Sequence, residues 1–194
     1  MILQNKYFEI LEKYMGDYTK EIYGRELIGK VSLSQKSIAL ALEELEQKAI
    51  LSSSKKGNIK LYKLNINNSE IKDILFQVEL NRKIKFLSKH RILAHIFKDD
   101  DRIAGIFGSY ASGTQKKDSD IDVFIIGNKR KEDYNVYGKK FDINISIKYF
   151  NEQEFKKLLE NKNNLCKEII GNHILLFGIE KFIKIIWRHY YGLN

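Results

Sequence analysis

Over residues 5–15 the apolar side chains Tyr7, Phe8, Ile10, Leu11 and Tyr14 recur at spacings of three and four, one face of a helix, and Gly16 follows as a stop. A second short helical pattern runs from about Thr19 to Leu27 and Ile28 and ends near Gly29. Ser34 is placed to cap a third helix, whose inward face is Ile38, Leu42, Leu45 and Ile50, with Ala39 and Ala41 allowing close approach. The period then becomes alternating. Ile50-Leu51, a polar tip SSSKKGN, and Ile59, Leu61 and Leu64 set around Lys60, Tyr62 and Lys63 predict a two-stranded hairpin over residues 49–64.

Residues 69–98 contain no glycine and carry Ile71, Ile74, Leu75, Val78, Ile84 and Leu87 on a helical stripe, so one long helix or two in series is expected. After Asp99-Asp100-Asp101 the apolar runs shorten into strands at 103–107, 122–126 and 141–147, separated by glycine, serine and charged loops. Asn151 with Glu154 forms a capping box, and Phe150 with Phe155 occupies the staple positions, so a helix starts at residue 152. Helical patterns return at about 164–170 and 179–190, with 174–177 between them. The expected organisation is α+β: three helices and a hairpin over 1–66, a helical connector over 67–98, and a sheet flanked by helices over 99–194.

Composition changes this picture little. The 194 residues are 43% hydrophobic and 12% aromatic, enough for a packed core. Without an eighteen-residue apolar run, no membrane span is expected, and the opening MILQNKYFEILEK lacks the features of a secretory signal, so a cytoplasmic location is expected. Cys166 is the single cysteine and reads as a small buried apolar side chain rather than a nucleophile. His90, His95, His173 and His189 share no metal-ligand spacing. Trp187, Tyr190 and Tyr191 on the last helix fit either a core or a homodimer contact. The net charge of +9 lies mostly in the first half: residues 1–64 hold 11 basic and 8 acidic side chains and residues 65–98 hold 7 and 3, whereas residues 99–150 balance at 9 and 9. Zero proline with abundant Lys, Ile and Asn suggests AT-rich coding, which accounts for part of that charge.

The chemistry concentrates in GIFGSYASGTQKKDSDIDVFII. A strand feeds the Gly108-Ser109 turn, and ten residues later Asp120 and Asp122 stand two apart on a second strand, where they share a face. Paired carboxylates give a hard cation oxygen ligands. Asp142 begins the alternation Asp142, Asn144, Ser146 against Phe141, Ile143, Ile145, Ile147, so the polar face of that strand is expected to supply a third carboxylate. Gly108 lets backbone approach a phosphate without a Cβ, and Ser109 can donate its hydroxyl and amide to phosphate oxygens. Lys116 and Lys117 lie either at this cleft or in a solvated loop. The competing reading is a solvated Asp-rich turn.

At these residues the chain resembles the minimal nucleotidyltransferases of the DNA polymerase β superfamily. The likeness spans about residues 90–180, includes Gly113 and Ser119 within GSYASGTQKKDSDID, and reaches the LLFGIEKF segment. Many members carry arginine where this chain has Ser112. The resemblance implies Asp120, Asp122 and Asp142 as catalytic metal ligands for Mg2+ or Mn2+, Gly108 and Ser109 as the nucleotide-binding turn, and a nucleoside triphosphate, with ATP favoured, as substrate. It further implies a protein or RNA acceptor and a toxin-antitoxin setting with a helical partner protein.

The segment LIGKVSLSQKSIALALEELEQKAILSSSKKGNIKLYKLN resembles a winged helix-turn-helix of the repressor type. That implies DNA binding, with Ser34, Gln35, Lys36 and Ser37 at the start of the groove-entering helix and Lys55 and Lys56 in the wing meeting phosphates. A winged helix is equally a protein-docking module. The alternative for the whole chain is a DNA-binding regulator whose second domain senses nucleotide without turning it over.

Overall fold

The computed structural model describes residue 3 and residues 5–192. The chain divides into two compact units, residues 1–78 and 79–194. The division falls inside a single helix, so the connector expected at 67–98 is shared between the units and is not a separate piece.

The first unit comprises α1 (Asn5–Leu11), α2 (Gln35–Gln47), the antiparallel strands β1 (Leu51–Lys56) and β2 (Ile59–Leu64), and the start of α3 (Ile71–Lys89). Its core is formed by Ile10, Leu11, Tyr14, Ile22, Leu27, Ile38, Leu42, Leu45, Ile50 and Leu64. Ser34 caps α2, its side chain accepting from the Ser37 N–H, as the sequence indicates. The second helix expected over 19–28 is replaced by irregular chain and one 3-10 turn, Gly24–Leu27. Asp17 Oδ1 accepts the Thr19 N–H at 2.9 Å, and Ile22 spends both backbone groups on Tyr62, so no helix can propagate through this stretch. The hairpin tip is shorter than expected: Lys56 pairs with Ile59, leaving a two-residue turn with Gly57 at φ +60°.

The second unit follows with α4 (Arg91–Ile96), β3 (Ile103–Phe107), α5 (Gly108–Ser112), β4 (Ile121–Ile126), α6 (Tyr134–Lys139), β5 (Ile145–Phe150), α7 (Glu152–Glu160), α8 (Asn164–Gly171), β6 (Ile174–Phe177) and α9 (Ile179–Tyr191). The sheet order is β5-β4-β3-β6, with β4 and β5 parallel and the other pairs antiparallel. One face packs Ala104, Ile106, Ile121, Val123 and Ile125 against Phe86, Leu93, Phe97 and Tyr134. The other is filled by aromatic rings, Phe107 on Phe124, Phe124 on Phe182 and Phe155 on both Phe150 and Phe182.

The capping box at Asn151 and Glu154 forms as expected and starts α7. The strand expected at 141–147 starts four residues later, at Ile145. The cause is α6, whose Gly138 carbonyl accepts from both Phe141 and Ile143, so residues 141–144 close a turn before the ladder can begin. Gly138 is required there, because a Cβ would lie 2.6 Å from the Ile143 carbonyl oxygen. Among the described residues no helix is long and apolar enough to cross a membrane.

Candidate active site

The strand-turn-helix of β3 and α5 delivers Gly108 and Ser109 to the edge of the sheet where β4 begins. Phe107 pairs with Asp122 across the β3–β4 ladder, so the Gly108 turn sits directly beside Asp122. Gly108 adopts φ +67°, and a Cβ added to it would lie 2.8 Å from Asp122 Oδ2. Glycine is therefore needed twice, for the backbone conformation and for the space over the carboxylate. The far end of α5 is fixed by Asn172, whose amide, oriented to suit its neighbours, donates to the Ala111 carbonyl (3.2 Å) and accepts from the Ser112 N–H (3.1 Å). Ser112 donates its hydroxyl to the Gly108 and Ser109 carbonyls at 3.0 Å.

Asp120 is exposed just before β4, and Asp122 is half-buried in it. Alternation along the strand puts both on the side opposite Ile121 and Val123. Burial raises the Asp122 carboxyl above the ordinary carboxylate range, the charge of Asp120 adds to the rise, and Lys148 opposes it. Two negative charges held together beside a turn that leaves them room are a donor set a divalent cation fits.

Asp142 is not part of this pair. It lies exposed in the turn after α6 with φ +59°, before β5 rather than on its polar face. Among the described residues no group of three His, Cys, Asp or Glu side chains is placed to hold a metal. The β4–β5 register instead puts Ser146 directly opposite Asp122 and Lys148 one pair further along the same face. Lys148 was not singled out from the sequence. Its place in the alternation of β5 was visible, but its partner strand and register were not.

Lys116 and Lys117 lie exposed in the loop before Asp120. Cys166 is buried, and burial pushes its thiol up to about 11, which removes it as a nucleophile at neutral pH. His173 is buried in a structural cluster. Its Nδ1 faces the Ile169 and Ile170 carbonyls, and its Nε2 lies 3.2 Å from Glu79, which Arg82 holds through both oxygens.

Residues 90–182 match the family model described as polymerase beta, nucleotidyltransferase. This segment is similar to nucleotidyltransferase domains. No curated protein and no solved structure matches the chain significantly. The match covers the Gly108-Ser109 turn, Asp120, Asp122 and Asp142, and it supports nucleotidyl transfer as the general activity of the second unit.

In the first unit, Gln35 and Lys36 are exposed at the start of α2, and Lys55 and Lys56 are exposed at the end of β1. Ser34 and Ser37 bond to each other at 2.9 Å. The rest of α2 is acidic, with Glu43, Glu44 and Glu46 against the single Lys36. Glu46 is taken by Lys60 (2.6 Å) and Ser53, and Glu44 by Lys6 and Tyr7.

Proposed function

We propose that the second unit transfers a nucleoside monophosphate, AMP from ATP, to a hydroxyl of a protein or RNA acceptor. The observation that carries this reading is the Gly108 turn lying open over Asp122 within a matched nucleotidyltransferase domain. Asp120 and Asp122 are the residues that would hold Mg2+ or Mn2+, which when bound would supply charge neutralisation for the triphosphate. Gly108 and the Ser109 amide and hydroxyl hold the phosphates, and Lys148 brings a positive charge to the same face. As the acceptor oxygen bonds the α-phosphorus, the bond to the β-phosphate oxygen breaks, pyrophosphate departs and the hydroxyl proton is lost to solvent.

The first unit is a winged helix on this reading. Lys36, Lys55 and Lys56 contact DNA phosphates, while Gln35 is the side chain at the start of α2 placed for base edges. The pairing of a transferase with a DNA-binding unit suits a toxin-antitoxin locus, in which the acceptor is a helical partner protein and the chain regulates its own transcription.

Incubation of the protein with each labelled nucleoside triphosphate and Mg2+ in host lysate tests the transfer. A labelled protein or RNA band is expected with wild type and absent with Asp120→Ala/Asp122→Ala. Nucleotide binding without any labelled band would favour the second reading, a regulator that senses nucleotide, for which the place of Asp142 in the turn before β5, rather than on its polar face, is the specific support.

A further inference from the structure

The end of the sheet that carries Asp120 and Asp122 has a second opening, on the other side of β4. Ile121 stands between the two aspartates and turns away from their carboxylates. There it helps to line a pocket of 400 Å3 that lies wholly within the second unit, walled by the passage from α3 into α4 and by Tyr110. Tyr110 belongs to α5, two residues after Gly108, so one short element borders both openings.

Three kinds of surface meet in this pocket. Ile121, Leu93 and Ile143 give it an aliphatic floor continuous with the core beneath. Tyr110 and His90 supply aromatic rings that stand edge to face with centroids 5.8 Å apart, and Phe86 backs His90 at 4.5 Å. Burial and then the charge of Lys89 hold the His90 ring below its ordinary pKa, so at neutral pH it is an uncharged ring. Lys89 and Arg91 flank His90 in the chain and supply the charge. No acid lines the pocket: Asp120, Asp122 and Asp142 adjoin lining residues in the chain but stand outside the lining. Neither Lys89 nor Arg91 forms an ion pair among the described residues, so both charges are uncompensated.

We propose that this pocket holds one nucleotide of a single-stranded nucleic acid and that this strand is the acceptor. A base is a flat apolar ring that stacks on aromatic side chains whatever its sequence, and its phosphate forms charge-assisted hydrogen bonds with lysine and arginine. An acidic peptide would satisfy the two cations but bring no flat ring to the aromatic wall. The volume is at the lower end of the roughly 300–1,000 Å3 typical of small-ligand sites, which suits a single nucleotide and excludes a duplex. The acceptor assignment rests on the transfer reading above. Ile121 and Asp122 are consecutive, about 3.8 Å apart along the chain, close to the rise of about 3.4 Å per nucleotide in a strand. A strand seated in the pocket therefore brings a ribose hydroxyl to the neighbourhood of the two aspartates.

The test is fluorescence anisotropy of the full chain, without Mg2+ or triphosphate, using short labelled single-stranded RNA and DNA of one sequence across a salt series, with AMP as competitor. His90→Ala/Tyr110→Ala is expected to weaken binding about tenfold, the size of a lost stacking contact. Lys89→Gln/Arg91→Gln should lower the slope of log K against log salt by about 0.7 for each phosphate the pair neutralises. Tyr110→Phe and Lys89→Arg should retain binding, which separates loss of ring or charge from loss of fold, and Lys55→Gln/Lys56→Gln measures the share of the first unit so that it can be subtracted. Binding that falls with the pocket variants supports the proposal, and the more tightly held of RNA and DNA names the strand. Unchanged affinity in both pocket variants, or displacement by AMP at the strand's own affinity, would overturn it. In the lysate transfer assay, a labelled protein band that survives both pocket variants would overturn the acceptor assignment and leave nucleotidyl transfer standing. A chain that labels nothing, yet loses strand binding with the pocket variants, would uphold the pocket's occupant and remove the transfer reading instead.

Discussion

The Gly108–Asp122 contact is the smallest unit of the account. Gly108→Ala places a methyl group 2.8 Å from Asp122 Oδ2 at a backbone angle alanine rarely adopts, so transfer is expected to fall by two orders of magnitude or about 3 kcal/mol in the barrier. Near-wild-type kcat and KM for that variant would show that the turn does not approach the nucleotide. A different set of residues tests stability. Burial raises the Asp100 carboxyl, but the Arg102 and Tyr134 hydrogen bonds outweigh it and bring the group down to about 2; Arg102 and Tyr149 likewise hold Asp133 low. Carboxyls depressed in the folded state stabilise it above their unfolded pKa, near 4, and lose that contribution as pH falls towards 2. Asp133→Asn leaves the buried Arg102 half-paired and is expected to cost about 3–5 kcal/mol at pH 7. Its deficit relative to wild type should shrink on acidification, which denaturant titrations at several pH values would reveal. That Asp120 and Asp122 are neighbours in space was legible from their spacing together with the strand context. Arg102, Asp100 and Asp133 were not, because 31 residues separate the guanidinium from one of its partners and only the fold joins them.

At the level of elements, local signals succeeded where they carried their own hydrogen bonds. The Asn151–Glu154 box placed α7 correctly because both orphan donors are satisfied within four residues. Asn151→Ala is expected to cost about 1 kcal/mol with little effect on transfer, measurable as a lowered denaturation midpoint at unchanged slope. The start of β5 was misread because Asp142, Asn144 and Ser146 alternate as a strand should, while Gly138 draws the same residues into a turn. Gly138→Ala forces that turn open against the Ile143 carbonyl, at about 1–3 kcal/mol. The helix expected over 19–28 failed for a related reason, since Ile22 is bound to Tyr62, forty residues away. Periodicity records which side chains are apolar, not which backbone groups a distant strand has taken.

For the molecule as a whole, the chain comprises two compact units, residues 1–78 and 79–194. In the second, the likeness to nucleotidyltransferases over residues 90–182 was legible, because the sequence signals for it are compressed into Gly108-Ser109 and Asp120-x-Asp122. The first offered only a layout, and its acidic α2 weakens the contrast that marks a DNA-reading helix. ATP with Mg2+ should raise the unfolding temperature of the wild-type chain by mass action and leave Asp120→Ala/Asp122→Ala unmoved. The most direct measurement compares ATP labelled at the α-phosphate with ATP labelled at the γ-phosphate in the same transfer reaction. Nucleotidyl transfer predicts an acceptor labelled only from the α-position, dependent on Asp120 and Asp122, with labelled pyrophosphate released from the γ-position. Acceptor label from the γ-phosphate, or α-label that survives loss of both aspartates, would contradict it.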